Sequence, residues 1–208
     1  MQESAFGRAL RGLGTARVNI VVPIKTQGFY PTKSQASRTF QLMCTLMPPE
    51  LTGIVLDMAQ YWPMERYWND HQIQVRGNSY HDENQGLTEV VHVSTRGHPL
   101  PKRIRKIRIV AISHDQGWAG DQTSWTWGKV CLKLKDEQKS SIIEEFYRNQ
   151  VAHNQRQTHE KVYLESSNES MMHDLDQIDV IHCAQFPGWT NHVYYSLIEI
   201  FYAHDFDL

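Results

Sequence analysis

Ser113-His114-Asp115-Gln116-Gly117-Trp118 and Ser124-Trp125-Thr126-Trp127 bring an imidazole, a carboxylate, a primary amide and three of the chain's six tryptophans into one short stretch. Two chemistries suit that mixture. His114 can act as a general acid or base, with Asp115 or another acid setting its tautomer. Alternatively, Asp115, Gln116 and Trp118 can bind a sugar, whose polar edges and apolar face call for planar hydrogen-bonding groups beside an aromatic ring. A third account is architectural: His114 and Asp115 tie down a tight turn at Gly117 while Trp118, Trp125 and Trp127 fill the core. Neighbouring residues on an extended chain point to opposite sides, so a His114–Asp115 dyad requires a turn between them.

Three other stretches carry polar chemistry. Arg76-Gly77-Asn78-Ser79-Tyr80-His81-Asp82-Glu83-Asn84-Gln85-Gly86 is a dense polar loop, and Arg76 and His81 are further candidates for ligand contact. His81, Asp82 and Glu83 would need His71 or His92 to complete a metal site. The spacing matches no HxH, HExxH or facial-triad pattern, so a solvated loop is the plainer reading and no metal is expected. Phe186-Pro187-Gly188-Trp189-Thr190-Asn191 reads as a structural corner, a Pro-Gly turn with Trp189 over it. Lys102-Arg103-Ile104-Arg105-Lys106-Ile107-Arg108 is the one basic cluster. Alternation puts Lys102, Ile104, Lys106 and Arg108 on one face and Arg103, Arg105 and Ile107 on the other, a solvated strand face rather than an anion site. The chain has no GxSxG elbow, P-loop, strand-borne GxGxxG or recognisable Cys-His pair, and no cofactor is expected.

Bulk properties narrow the class. Charged residues are 21% and nearly balanced, with a formal charge of −2, which argues against a protein that grips nucleic acid through many phosphates. Cys44, Cys131 and Cys183 are odd in number and widely spaced, the pattern of reduced thiols in an intracellular, cytoplasmic protein rather than of a disulfide framework. No apolar run is long enough to span a bilayer, and the basic N-terminus lacks the apolar region of a secretory signal.

The elements that must position these groups follow from periodicity. Residues 1–16, rich in Gly and Arg, read as an arm, and Ala16–Ile24 as a strand. Gln27–Gln41 reads as a polar loop. Pro48-Pro49-Glu50 starts a helix over 49–62, on which Leu51, Ile54, Val55 and Met58 form one apolar stripe suited to covering a sheet or plugging a barrel end. Short β-like runs then recur at His71–Arg76, Leu87–Val93, Ile104–Ile112, Ser124–Leu134, Ile142–Ala152, Lys161–Glu165, Ile178–Ala184 and His192–Ala203, with Ser166–Asp176 a polar loop. This rhythm, over 71–203 of a chain read as one domain, predicts an antiparallel β-sandwich of jelly-roll type with one amphipathic helix. In Ser124–Leu134, Trp125 and Trp127 share one parity while Val130, Leu132 and Leu134 take the other, which predicts a bulge at Gly128.

Met47-to-Pro63 (MPPELTGIVLDMAQYWP), SHDQGW…SWTW and FPGWTNHVYYSLIEI resemble segments of a group of fungal proteins of unassigned function, described as galactose-binding-like sandwiches. The resemblance covers most of residues 45–203 and implies the fold more than the function. Pro-Pro-Glu-Leu is also similar to an F-box opening, but the helical part is too short for one. Together these features point to a small-molecule or carbohydrate-binding module, with a cofactor-independent enzyme using His114 as acid/base as the alternative. An adaptor binding another protein through its helix and Trp-rich loops is a third possibility.

Overall fold

A computed structural model describes residues 29–79, 85–120, 122–136 and 140–203. Its nine strands are β1 Met64–Asn69, β2 Ile73–Arg76, β3 Thr88–Ser94, β4 Ile104–His114, β5 Thr126–Leu134, β6 Ile142–Arg148, β7 Gln157–Leu164, β8 Leu175–Ala184 and β9 Thr190–Tyr202. The helices are α1 Lys33–Met43, α2 Pro49–Met58 and α3 Glu165–Asp174. All strand pairings are antiparallel, in the orders β1-β9-β4-β7, with β2 also on β9, and β3-β8-β5-β6. With β1 and β2 as two segments of one edge, this order is the winding of an eight-stranded jelly roll. All eight strands expected from the turn signals form. The expected arm 1–16 and strand Ala16–Ile24 lie outside the described residues, as does His81.

Parity explains the two layers. Ile107, Ile109, Ile198 and Ile200 of one sheet face Val130, Leu132, Ile178 and Val180 of the other, all with 0–1% exposure. Alternate residues on the same strands point outward. On the outer face of the first sheet this places a cross-strand ion ladder. Arg66 Nη2 meets Glu199 Oε1 at 2.7 Å, Arg108 Nη1 meets Glu199 Oε2 at 2.9 Å, and Arg108 Nε meets Glu160 Oε1 at 2.8 Å. Arg105 pairs with Asp57 and Glu165. Arg105 and Arg108 of the basic cluster are therefore neutralised within the fold, and Arg108 is buried rather than solvated. Its expected alternation also fails, because the register with β9 shifts between Ile104 and Lys106 and turns both Ile104 and Ile107 into the core.

The helices depart most from expectation. Gln27–Gln41 is not a loop from Lys33 onward. Thr32 and Gln35 form a capping box, Gln35 N–H to Thr32 Oγ1 at 3.2 Å and Thr32 N–H to Gln35 Oε1 at 2.8 Å, and start α1. α2 ends at Met58 rather than residue 62 because Gln60 takes a left-handed φ of 52°. Its apolar stripe does not cover the sheet. Leu51, Ile54, Val55 and Met58 are 41–81% exposed, while Thr52 and Leu56 are the buried residues. The polar stretch after β7 winds into α3, kinked at Asn168, and Met64–Asn69 forms an unexpected strand on β9. No helix among the described residues is long and apolar enough to cross a membrane.

The predicted break at Gly128 occurs, but the register shift lies only against β6. Towards β8 the pairing runs unbroken from Thr126 to Lys133. β5 thus keeps one parity, and the tyrosine ring of Tyr147 occupies the space a Cβ at Gly128 would need, only 2.0 Å away.

Candidate functional site

In jelly-roll winding the connections β2–β3, β4–β5, β6–β7 and β8–β9 gather at one end, and the candidate residues sit there. Asp115 organises this end. Its carboxylate is fully buried and accepts from the backbone N–H groups of Gly117 at 2.8 Å, Ala152 at 2.9 Å and His153 at 3.1 Å. It thereby joins the β4–β5 and β6–β7 loops and holds Ala152 at a φ of 55°, a left-handed conformation that alanine rarely adopts. Gln116 ties the same loop to β9, donating to the carbonyl of Trp118 at 2.7 Å and accepting from Thr190 N–H at 3.2 Å. Between them they fix the backbone on both sides of Trp118, whose ring rests over Gly188 and is still 62% exposed.

His114 stands on the outer face of the first sheet, because Ser113 before it points inward to Asn149. Its Nδ1 meets the carbonyl oxygen of Asp115, which can only accept, so Nδ1 carries the proton. The other nitrogen then accepts from the hydroxyl of Tyr194, 2.9 Å away. The expected dyad is therefore absent: the Asp115 carboxylate turns to backbone amides, and its carbonyl, not its side chain, sets the tautomer. Directly across the strand pair, His192 stacks on His114 with centroids 4.7 Å apart. Burial, the neighbouring His114 and the charge of Arg76 hold the His192 imidazole below its ordinary range. Arg76 shares this face, two residues along from Gln74, the partner of His192. The Arg156 guanidinium lies 3.9 Å above the ring of Tyr194.

The tryptophans do not gather into one site. Trp125 meets Phe186 edge-on at 4.7 Å. Trp127 is on the outer face of the second sheet, buried beneath Arg148 and Lys129 at 5.0 and 5.8 Å from its ring centroid. Thr126 before it points inward to Asn149, so Trp127 must point away from the sandwich, on the opposite side from His114. Among the expected residues, the structure therefore brings His114 and Arg76 to one face about His192, with Trp118 exposed on the loop at the same end. It places Asp115 and Gln116 beneath them as supports and separates Trp127. Sequence reasoning missed His192, Tyr194 and Arg156. The alternation in Asn-His-Val-Tyr marked His192 and Tyr194 as one face of a strand, but nothing local ties Arg156 to them.

Beneath the site, between the sheets, runs a directed hydrogen-bond chain. His92 Nε2 donates to the carbonyl of His71 at 2.8 Å, which leaves its Nδ1 to accept from Ser196 at 2.8 Å. Ser196 in turn accepts from His182 Nε2 at 2.7 Å, and His182 Nδ1 accepts from the Tyr147 hydroxyl at 2.7 Å. Asn191 donates to Tyr147 at 3.3 Å, and Asn149 donates to Asn191 at 3.0 Å. One carbonyl thus fixes every proton along the line. Burial pushes His182 down to about 3 and His159, stacked on Tyr147, down to about 4. The Cys183 thiol, chiefly through burial, is pushed up to about 12 and is inert. Among the described residues no three His, Cys, Asp or Glu side chains converge on a metal position.

The pairing order makes this an antiparallel jelly-roll sandwich. Neither a family model nor a curated protein matches the chain. Solved structures similar to it include infectious bursal disease virus, Gx strain, at 9% identity over 70% of this chain and 33% of that one, with a TM-score of 0.44. The VP2 subviral particle of infectious bursal disease virus is similar at 10% identity over 69% and 34%, TM-score 0.42. FLHE is similar at 8% identity over 68% and 98%, TM-score 0.32. The chain spans about a third of the length of these viral chains. Likeness at this level says nothing of activity, and the architecture stands on the strand pairing.

Proposed function

We propose that the protein is a ligand-binding module for a carbohydrate or similar polar small molecule, with its binding face at the β4–β5 loop end of the first sheet. One observation carries this reading: Trp118 presents its indole to solvent at 62% exposure from a loop fixed at five hydrogen bonds by Asp115 and Gln116. Folding alone gains little from holding a large apolar ring rigidly in water. A sugar gains a prepaid stacking platform. His192, Tyr194 and Arg76 supply polar groups alongside, with His114 buried behind them. The motif likeness to galactose-binding-like fungal proteins agrees with this reading, and three unbonded thiols support a reducing, cytoplasmic setting.

Trp118→Ala is expected to abolish binding to an oligosaccharide array while changing stability by less than about 1 kcal/mol, since the ring buries little. Loss of several degrees in Tm with binding retained would return Trp118 to a packing role.

A second reading uses the same face. The Tyr194 hydroxyl donates to a tautomer-locked His114 Nε2, the geometry of a phenol whose proton an imidazole can take. An enzyme of this kind would show a pH–rate inflection that disappears in His114→Ala; a pure binding module turns nothing over.

A further inference from the structure

We infer that the ligand of this face carries a carboxylate, so that the module binds an acidic sugar through Arg76, Arg156 and His192, which His114 supports from below. The inference rests on the carbohydrate reading above and names the ligand class within it.

Four arginines elsewhere in the fold have what these two lack. Arg66, Arg105, Arg108 and Arg148 each pair with a carboxylate. Arg76 donates to the neutral amide of Gln74 at 2.8 Å, and Arg156 lies over the ring of Tyr194. Neither has a carboxylate partner among the described residues. Both flank one continuous line of groups: Arg156 over Tyr194, Tyr194 bonded to His114, His114 stacked on His192, and His192 beside Arg76. Asp115 lies at the same end, and its oxygens already accept from three backbone amides. Among the described residues the face therefore presents two planar cations without a carboxylate partner, beside two imidazoles.

Burial, the stacked ring of His114 and the charge of Arg76 make His192 resist protonation. An anion placed over the two imidazoles reverses that. It pairs with the guanidinium forks and lets His192 take up a proton. Planar forks on two sides suit a carboxylate, while among the described residues the site has no helix N-terminus or glycine-rich nest of the sort that cradles phosphate. Trp118 stands at the same end to take the sugar ring.

The test is calorimetric titration with trigalacturonate, its methyl ester and galactose 6-phosphate, on the wild type, Arg76→Gln, Arg156→Gln and Trp118→Ala. The expected result is acid binding at least about tenfold tighter than ester binding. Each arginine substitution should lower acid affinity about tenfold more than it lowers ester affinity. Acid affinity should also rise as pH falls from 7.5 to about 6, as His192 gains its proton, with His114, Tyr194, Arg76, Arg156 and Asp115 the charged or titratable groups around it. Equal binding of acid and ester overturns the inference and leaves the carbohydrate reading standing. Binding of the phosphate but not the acid overturns the carboxylate assignment. Acid binding that survives Trp118→Ala but not the arginine substitutions sustains the anion site and removes the stacking platform. No binding of any of the three removes both.

Discussion

Asp115→Ala is expected to destabilise the protein by about 3–5 kcal/mol and to abolish ligand binding, although Asp115 touches no ligand. Three backbone N–H groups lose their acceptor at once, and each buried unsatisfied donor costs about 1–3 kcal/mol. Partial access of water to the loosened loops keeps the sum below the upper bound. Ala152 also loses the contact that holds it in a left-handed conformation, and the loop bearing Trp118 loses its anchor. Asp115→Asn keeps the oxygen that serves Gly117 and His153 but sets an amide against Ala152 N–H, so an intermediate loss is expected. Urea denaturation of the three proteins checks the order. A loss below about 1 kcal/mol in Asp115→Ala would mean the carboxylate is not the organiser of this end.

Acidification gives the second large effect. His182 is fully buried and held neutral, accepting at Nδ1 from Tyr147 and donating at Nε2 to Ser196. Its folded pKa lies at about 3, far below the ordinary 6.5. Above pH 6.5 both folded and unfolded states are neutral there, and the group leaves stability unchanged. As pH falls below 6.5 the unfolded chain takes up a proton that the fold refuses, and stability declines until the folded pKa is reached. At about 1.4 kcal/mol per pH unit, His182 alone removes about 2 kcal/mol between pH 7 and 5, before most carboxylates titrate. His92 and the half-buried His159 are shifted the same way and steepen the slope. Calorimetric scans from pH 7 to 5 should show Tm falling by about 4–8 °C, taking 2–4 °C per kcal/mol for a chain of this size. His182→Gln should flatten the dependence while lowering stability at pH 7. A flat wild-type profile would mean that the buried histidines accept protons in place and that the hydrogen-bond chain is not directional.

The strand framework was legible because each strand is bounded by turn residues and carries period-two alternation. Isoleucines at 107 and 109, or 198 and 200, leave little choice of inward face. What escaped were elements whose sequence is polar for local reasons. α1 carries Thr32-Lys33-Ser34-Gln35, a capping box that reads as loop composition unless the i, i+3 pair is noticed. Periodicity correctly found α2 but gave it the wrong buried side, since Leu51, Ile54, Val55 and Met58 form the more hydrophobic face and yet stand exposed, while Thr52 and Leu56 turn inward. Hydrophobic rank does not say which face a short helix presents when the sheet already has its own covering. At the candidate site, the prominent cluster proved to be three things: a support in Asp115 and Gln116, an exposed ring in Trp118, and a distant buried ring in Trp127. Adjacent residues diverge on a strand, so dense sequence clusters are dispersed by the fold, and the proposed face assembles instead from Arg76, His114, Arg156, His192 and Tyr194 on separate segments. Only the strand order, which no short motif records, sets them side by side.

The account depends on Trp118 and its histidine neighbours forming a face that a guest molecule meets. Each of the six tryptophans contributes one indole N–H resonance. The direct measurement is nitrogen–proton NMR during titration with neutral and acidic trisaccharides. The indole signal of Trp118 and the ring signals of His114 and His192 are expected to move together and saturably, with those of Trp62 and Trp127 unmoved. Silence from Trp118 across the panel, or movement confined to Trp127, would contradict it.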